Sequence, residues 1–169
     1  MNIIETERLF LLKLSMNDAP FIMNLLNDPA WLKFIGDKGI RTIDDARDYI
    51  LNGPMQSYRQ FGFGLFLTKL KNSGIPIGIC GLLKRDYLDD VDVGFAFLPQ
   101  FRGKGYAGES ASAVISYGKK TFGFNRIVAI TQWDNCGSIN VLEKIGFKFE
   151  GLIRLPGDDS EIRLYGKQV

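Results

Sequence analysis

A glycine-rich segment between a strand-like run and a helix-like run places the strongest constraint on how this chain folds. The apolar run Val91–Leu98 stops at Pro99, and the segment Arg102–Gly108 then leads into a helical pattern from about Ala107 to Phe122. Glycines allow a sharp turn and let the backbone approach a ligand closely. Free N–H groups at a helix N-terminus attract an anion, and the helix dipole adds to that attraction. The segment therefore predicts a phosphate or diphosphate site.

Two other interpretations of this segment remain open at this point. Arg102 and Lys104 could add charge-assisted contacts to the anion, or they could be exposed cations on an ordinary tight turn. The three glycines also match G-x-G-x-x-G, a dinucleotide-binding pattern, and Asp134 follows the next predicted strand, where a ribose-binding acid could lie. We rank the dinucleotide site second, because that motif usually opens its domain, whereas about 100 residues precede it here.

The rest of the chain predicts a mixed α/β fold. A strand is expected at Arg8–Leu14, a helix after Asn17-Asp18, and a second helix after Thr42, where Asp45 replaces the usual Glu of a capping box. Two apolar runs around the polar turn at residues 71–74 predict a hairpin. The predicted hairpin strands are Phe61–Lys69 and Ile75–Leu83, and later elements are strands at Arg126–Thr131, Phe147–Leu152 and Ile162–Tyr165 and a helix at Ser138–Ile145 before Gly146. This order favours a largely antiparallel sheet.

Composition narrows the class of protein. A length of 169 residues suits one domain, residues 1–169. The 21 basic and 19 acidic residues give a net charge of +2, which offers no argument for nucleic-acid or membrane binding. The chain has no histidine, so His-based triads and His-ligated metal sites are excluded, and we expect no metal. We expect a cytoplasmic protein, because no signal-peptide core and no apolar run of membrane-spanning length occur.

A second cluster, Asn135 to Phe147, follows the strand after the glycine-rich helix. Together the two clusters resemble the GNAT acetyltransferase superfamily. The coenzyme-loop pattern Arg/Gln-x-x-Gly-x-Gly/Ala is met by Arg102, Gly105 and Ala107. The pattern Asn-x-x-Ser…Glu-Lys-x-Gly-Phe is met by Asn135, Ser138, Glu143, Lys144, Gly146 and Phe147. In the N-terminal half, the segments Thr6-Glu7-Arg8-Leu9, Asp18-Ala19, Asn27-Asp28-Pro29 and Thr42–Ile50 resemble the branch of Rim-type ribosomal-protein N-terminal acetyltransferases.

The resemblance implies a fold, a cosubstrate and a reaction. The fold is a single α/β (α+β) domain with a mixed, mostly antiparallel twisted sheet of about six to seven strands flanked by helices. Two central parallel strands, Val91–Leu98 and Arg126–Gln132, would be splayed around the coenzyme. The reaction is direct attack of a primary amine, on a protein N-terminus or a small molecule, on the thioester of acetyl-CoA. We expect no nucleic acid or membrane partner, and a monomer or homodimer.

The resemblance also implies the residues that bind acetyl-CoA. The phosphates would lie on the glycine-rich loop, and the pantetheine arm would pair with the β-strand backbone before it. The predicted coenzyme-binding residues are Phe97, Leu98, Arg102, Gly103, Lys104, Gly105, Tyr106, Ala107, Gly108, Asn135, Ser138 and Asn140.

Two side chains are predicted to carry the proton transfers. Asp92 is the candidate general base, with Asp90 and Glu161 as weaker candidates and a solvated surface Asp as the alternative. Ser138 is the candidate acid for the leaving thiolate, although it could instead cap the helix that begins there. Many members of the superfamily carry Tyr where this chain has Leu142, so a catalytically silent acyl-CoA-binding module is a third interpretation.

The acceptor pocket is predicted from aromatic residues of the N-terminal half. The predicted lining residues are Trp31, Phe34, Tyr58, Phe61 and Phe63. With 13 Phe residues in the chain, most are expected to belong to the core. Asp28 and Asp37 could attract a cationic amine, but helix-end or surface roles are the alternative.

Overall fold

Eight strands and the helices between them make up residues 2–169, the part of the chain that this computed structural model describes. The strands are β1 (Asn2–Glu5), β2 (Leu9–Lys13), β3 (Leu65–Leu70), β4 (Pro76–Leu83), β5 (Asp92–Phe97), β6 (Arg126–Thr131), β7 (Lys148–Arg154) and β8 (Glu161–Gln168). The helices are α1 (Ala19–Leu26), α2 (Pro29–Phe34), α3 (Ile43–Ile50), α4 (Gln56–Phe61), α5 (Tyr106–Phe122) and α6 (Cys136–Lys144). A π-helical turn, Leu51–Met55, joins α3 to α4, and short 3₁₀ turns cover Met16–Asp18 and Pro99–Phe101.

The strands form one mixed sheet in the order β1-β2-β3-β4-β5-β6-β8-β7. This confirms the predicted mixed, mostly antiparallel α/β fold, although the count is eight strands instead of six to seven. The additional strand is β1, which pairs with β2 through only a few residues and lies half-exposed. So short a segment with so little apolar character gives no alternating pattern to detect.

The centre of the sheet holds its parallel pair, β5 and β6. Their ladder consists of the register partners Asp92 and Val128, with the Val128 N–H donating to the Val91 carbonyl at 3.0 Å. Beyond this point the two strands diverge. The prediction of two splayed central strands is thus confirmed.

Each diverging strand is held by the partner on its other side. Strand β5 pairs with β4 from Leu83–Asp92 to Gly78–Phe97. Strand β6 pairs with β8 from Arg126–Gln168 to Thr131–Arg163. Because both outer ladders run the full length of the strands, each strand follows its own half of the sheet. A gap therefore opens between β5 and β6 toward their C-terminal ends.

Ion pairs also hold the strands together at the closed end of that gap. The Arg126 guanidinium, at the start of β6, donates from Nε to Asp90 Oδ2 at 3.0 Å, just before β5. Its two terminal nitrogens donate to the carboxylate of Glu150 on β7, at 2.8 and 2.5 Å. A bidentate Arg–carboxylate pair is the strongest geometry for such a contact. The network joins the strands at the point where they are closest.

Two hydrophobic clusters cover the two faces of the sheet. Side chains of a strand alternate between faces, so Val93 and Phe97 of β5 pack with Val114 of α5 on one side. Leu98 packs with residues of α1 and α3, such as Ile22, on the other side. None of the helices in residues 2–169 combines the length and the apolar content that a bilayer crossing requires.

Several predicted element boundaries agree with the structure. The Thr42 hydroxyl accepts from the Asp45 N–H at 3.0 Å, and the Asp45 carboxylate accepts from the Thr42 N–H at 3.0 Å. This reciprocal pair is the predicted capping box of α3. The predicted bounds of the strand at Arg126–Thr131 are those of β6.

Several predicted boundaries are wrong. The last two strands, expected to end at Leu152 and Tyr165, end at Arg154 and Gln168. The strand expected from Phe61 begins at Leu65, because Phe61 ends α4 and Gly62, with φ +83°, terminates that helix in the left-handed region. The helix expected from Ser138 begins two residues earlier, at Cys136.

Helix α5 lies very close to the sheet at Gly118. An ideal Cβ at this position would lie 2.8 Å from Leu82 Cδ1 and 3.2 Å from Phe124 Cδ2. Of the two alternatives for the inward position, Tyr117 or Gly118, the glycine is the buried one. We predict that Gly118→Val destabilises the fold by about 1–3 kcal/mol, because a core this close does not accept extra carbons. Urea unfolding measures the change.

The matched control is Ser116→Val, at an exposed position of the same helix. Both variants place a β-branched residue in α5, and valine is a better helix former than glycine. A loss confined to Gly118→Val therefore reports packing. Equal stability of the two variants would contradict the close approach of α5 to β4.

Candidate active site

The loop between β5 and α5 has the backbone conformation that its glycines predicted. Gly103 and Gly105 have φ values of +73° and +84°, in the left-handed region that glycine adopts without strain. Gly105 is the residue before the first turn of α5. These two reversals turn the chain from the strand end into the helix within a few residues.

The backbone amides of residues 103–108 point away from the protein's own acceptors. None of them donates a hydrogen bond to another of residues 2–169. On either side, the Arg102 N–H donates to the Pro99 carbonyl at 3.2 Å and the Glu109 N–H to the Gly105 carbonyl at 3.1 Å. A consecutive run of free N–H groups at the start of a 17-residue helix is an anion-binding arrangement.

The Arg102 side chain turns away from this loop. Its Nε donates to the Phe97 carbonyl at 3.0 Å, and its Nη2 donates to Asp28 Oδ2 at 2.5 Å. Asp28 is buried, and the same oxygen caps α2 by accepting the Ala30 N–H at 3.1 Å. Asp28 therefore has the helix-end role, and Arg102 joins α2 to the end of β5. Two of the three guanidinium nitrogens are engaged away from the free amides.

The open edge of β5 lines the gap. The Leu98 N–H donates to the carbonyl of Ile77 in β4 at 2.9 Å, so it faces β4. Amides alternate in direction along a strand, so those of Phe95 and Phe97 face the other way, toward β6. Strand β6 has already diverged there. Phe97 thus offers an amide to an extended ligand, whereas the Leu98 amide is already used and its carbonyl accepts from Phe101 at 3.0 Å.

Asp92 lies at the closed end of the gap, where β5 and β6 are still paired. Its side chain is 2% exposed, and Oδ1 accepts from Arg85 Nε at 3.0 Å. Burial raises the pKa of the Asp92 carboxyl to about 6, and the adjacent guanidinium opposes part of that rise. Asp92 is therefore a buried, ion-paired carboxyl instead of a solvated surface Asp.

A cleft on the side of α3 is lined by the register partner of Asp92, Leu83. As register partners, the two side chains lie on the same face of the sheet. The cleft has a volume of about 290 Å³. The lining residues are Tyr49, Asn52, Gly53, Pro54, Gln56, Ser57, Gln60, Phe61, Leu65, Leu83 and Lys84. The π-helical turn forms part of this wall, and such turns are frequent at functional sites.

Helix α6 begins differently from the prediction. The Asn135 side-chain oxygen accepts the Ser138 N–H at 3.2 Å, so Asn135 caps the helix and Ser138 does not. The half-buried Ser138 hydroxyl has no hydrogen-bond partner among residues 2–169. Asn140 is exposed on the same helix. Leu142 is 1% exposed and belongs to the main core.

The aromatic residues predicted to line the acceptor pocket are mostly core. Phe63 packs edge-on against Phe122 and Phe124 and is 4% exposed. Tyr58 stacks on Phe66, accepts from the Leu14 N–H and donates to the Leu65 carbonyl. Trp31 is buried in the second core cluster. That prediction is wrong for Trp31 and Tyr58. Phe61 lines the cleft next to Leu83, and Phe61 and Phe63 line a second cleft of about 350 Å³ beside Val91 and Arg126.

Three of the other predicted acidic residues have a cationic partner. Asp37 pairs with Arg41 at 2.5 Å, and Asp90 pairs with Arg126. Asp134, the ribose-binding candidate of the dinucleotide interpretation, lies 3.9 Å from Lys33 of α2. Glu161 is exposed at the start of β8. No group of three or more His, Cys, Asp or Glu residues within residues 2–169 is arranged to hold a metal ion.

Sequence reasoning missed one residue beside the loop. Arg8, in the turn between β1 and β2, donates to Glu109 Oε2 at 2.7 Å and to the Lys104 carbonyl at 2.9 Å. Its guanidinium lies 4.4 Å from the centre of the Tyr106 ring. Nothing local in the sequence signals these contacts, because their partners lie 96 to 101 residues away.

Known proteins resemble this chain in sequence and in fold. YnaD of Bacillus subtilis (strain 168), described as an uncharacterized N-acetyltransferase, is 28% identical over 151 residues, which cover 89% of this chain and 85% of YnaD. An acetyltransferase (GNAT family) from Bacillus anthracis has a TM-score of 0.81 at 28% identity, covering 98% of this chain and 97% of its own. RimL, a ribosomal L7/L12 alpha-N-protein acetyltransferase solved with coenzyme A, has a TM-score of 0.84 at 18% identity, covering 100% and 98%.

The match to a family covers most of the sequence. Residues 8–148 match the acetyltransferase (GNAT) domain, a span that includes the free amides of the loop, the diverging strands and Asp92. The dinucleotide interpretation of the three glycines is thereby displaced. The chain belongs to the GNAT family of acetyltransferases.

Proposed function

We propose that this protein transfers an acetyl group from acetyl-CoA to a primary amine, by direct attack of the amine within a ternary complex. The observation that carries the proposal is the run of free amides at residues 103–108, directly beside the open edge of β5. These two features match two of the chemical parts of coenzyme A. One is a diphosphate, and the other is an extended arm with amide groups.

The loop residues Gly103–Gly108 would hold the diphosphate through their N–H groups. Helix α5 adds its dipole, and Lys104 adds a positive charge. The pantetheine arm would lie between β5 and β6 and accept from the Phe97 N–H as a neighbouring strand would. The similar RimL structure contains coenzyme A, which supports this placement by fold alone. In this proposal Arg102 acts indirectly, by fixing the end of β5 onto α2.

Asp92 would act as the general base. An ammonium group must lose a proton before it attacks a carbonyl, and a carboxylate with a pKa of about 6 is largely ionised at neutral pH. The cleft that Leu83 lines would give an amine a route toward Asp92, directly or through one water. Arg85 holds the carboxylate in place at 3.0 Å.

Ser138 would protonate the departing thiolate of coenzyme A. Its hydroxyl is free of the capping role that Asn135 takes, and it projects from the first turn of α6 next to β6. Leu142 is part of the core, so no tyrosine is available at that position for the same task. Asn135 would contribute to the coenzyme site only through the groups that helix capping leaves free, and Asn140 through its exposed side chain.

The acceptor class is an amine, on a protein N-terminus or on a small molecule. RimL is named for the N-terminus of ribosomal L7/L12, which supports the first kind of acceptor by analogy of fold. A single domain across residues 1–169, a cytoplasmic location, a monomeric or homodimeric state and the lack of a nucleic acid or membrane partner all stay predictions.

Coenzyme A itself tests the loop. At 100 times its dissociation constant it should stabilise the fold by about 2.7 kcal/mol, which is a rise of about 5–10 °C in melting temperature. NAD and NADP should have no such effect. Gly105→Val should abolish the rise, because φ of +84° disfavours valine and its Cβ would lie 3.2 Å from Arg8.

The control for that experiment is Gly123→Val at the other end of α5. Gly123 has a similar φ of +73° and open space around its Cβ position, so the backbone strain is matched. This variant should lose stability and keep the full response to coenzyme A. If the wild-type protein is not stabilised by coenzyme A, the proposed function is wrong.

The pH dependence of the reaction tests Asp92. Its pKa in the folded protein is raised to about 6 from 3.8. The ionised base is therefore present only above that pH, and kcat/KM should fall as the pH drops through about 6. Asp92→Asn should lower kcat/KM by about 10²–10⁴-fold at neutral pH and remove this acid limb. Asp89→Asn, at an exposed neighbour, should keep the wild-type profile.

The same shift predicts a stability effect that needs no acceptor. The folded state binds more protons than the unfolded state between pH 4 and 6, so this carboxyl lowers stability as the pH rises through that window. The unfolding free energy of Asp92→Asn minus that of wild type should increase by about 2 kcal/mol from pH 4 to pH 7. A flat difference would show that the pKa of Asp92 is not raised.

Ser138→Ala tests the proton donor. Because Asn135 caps the helix, the variant should keep its stability while kcat falls by about 10–100-fold. The KM for acetyl-CoA should stay within about twofold of wild type. Asn135→Ala is the converse control and should lose about 1 kcal/mol of stability. An unchanged kcat in Ser138→Ala would leave the thiolate to be protonated by water.

A further inference from the structure

The turn between β1 and β2 is locked onto the first turn of α5 by one arginine. Arg8 reaches three successive parts of the proposed coenzyme loop: the Lys104 carbonyl at 2.9 Å, the Tyr106 ring at 4.4 Å and Glu109 Oε2 at 2.7 Å. Its Nη2 lies 3.2 Å from the place where a Cβ of Gly105 would be. Residue 8 is thus part of a site whose other residues are about 100 positions away in sequence.

A cation is needed beside the first turn of α5 because Glu109 carries a negative charge there. Its carboxylate lies in the first turn of α5 and is 19% exposed, directly after the run of free amides. A negative charge near a helix N-terminus interacts favourably with the helix dipole, as a bound anion does. If Glu109 were unpaired, its charge would therefore repel a bound diphosphate and would compete with it for the favourable interaction with the helix dipole.

The contacts of Glu109 neutralise that charge from one side. Oε1 accepts from the Thr6 hydroxyl at 2.7 Å and from the Arg8 N–H at 2.9 Å, while Oε2 takes the Arg8 guanidinium. The carboxylate is held toward the β1–β2 turn. The Arg8 bond to the Lys104 carbonyl likewise turns an oxygen, which would repel an anion, toward Arg8.

The turn that carries Arg8 is itself fixed from behind. Lys71, between β3 and β4, pairs with Glu5 at 2.6 Å and donates to the Thr6 carbonyl at 2.8 Å. Its backbone N–H donates to the Arg8 carbonyl at 2.8 Å. Arg8 is therefore held against α5 by the sheet and does not depend on a bound ligand for its position.

We propose that Arg8 is a positioning residue for coenzyme binding: it neutralises Glu109 and turns the Lys104 carbonyl away, so that the amides of residues 103–108 are ready for a diphosphate. This inference rests on the proposed use of acetyl-CoA. Arg8 acts through Glu109 and Lys104, and it takes no part in the chemical step.

A double-mutant cycle of Arg8→Met and Glu109→Gln tests the proposal by isothermal titration with coenzyme A. Arg8→Met leaves Glu109 unpaired beside the anion site, and the dissociation constant should rise by about 10-fold. Glu109→Gln should bind coenzyme A at least as tightly as wild type. The double variant should return to within about threefold of wild type, because the repelling charge is gone.

Kinetics separate this role from a merely structural one. The KM of Arg8→Met for acetyl-CoA should rise in parallel with the dissociation constant, while kcat at saturation should stay at the wild-type value. Arg8→Lys, which keeps the charge and loses the two-nitrogen geometry, should weaken coenzyme A binding by about 2–5-fold. This milder variant also supplies the measurement if Arg8→Met does not fold. Arg47→Met, which removes an exposed arginine paired with Asp44, is the matched control and should bind as wild type does.

Each outcome decides for or against the proposal. Wild-type affinity in both Arg8→Met and Arg8→Lys would overturn it. A double variant as weak as Arg8→Met would also overturn it, because Glu109 would then not be the route by which Arg8 acts. If the wild-type protein itself fails to bind coenzyme A, the proposed function is wrong, and that failure is distinct from normal binding by the Arg8 variants.

Discussion

The divergence of β5 from β6 is the constraint on which the rest of the structure depends. The two strands share the register partners Asp92 and Val128, and each is then carried away by a full ladder on its other side. The edges of β5 and β6 that face each other are therefore open, although both strands lie in the interior of the sheet. Arg126, with Asp90 and Glu150, ties the strands where they meet. Everything proposed for the site lies along this opening.

The loop that begins α5 shows how much of a site local sequence can predict. The positive φ values of Gly103 and Gly105, the free amides and the capping box at Thr42 all follow from residue types at short spacing. The element order predicted the mixed sheet for the same reason. These features depend on interactions between residues that are close in sequence, so local sequence patterns are enough to predict them.

Other features could not be predicted, because they arise from contacts between distant parts of the chain. Arg102 is a cation beside an anion-binding loop, yet the buried Asp28 takes its guanidinium. Tyr58 and Phe63 have the composition of a pocket but fill the core around Phe122. Arg8 reaches the loop only because β2 lies next to the N-terminal turn of α5. Such pairings depend on tertiary packing, and residue type alone does not predict which distant residues will meet.

Because one edge of β5 is open, the backbone amides of this strand fall into two classes that differ in their rate of hydrogen exchange. Amides that face β4, together with that of Leu98, are bonded within the sheet and exchange only when the sheet opens. Amides that face the gap, such as those of Phe95 and Phe97, have no strand opposite them. Alternate residues of β5 thus differ in protection although they share one strand. A ligand lying in the gap would erase that alternation and leave β5 uniformly slow to exchange, as in the interior of a continuous sheet.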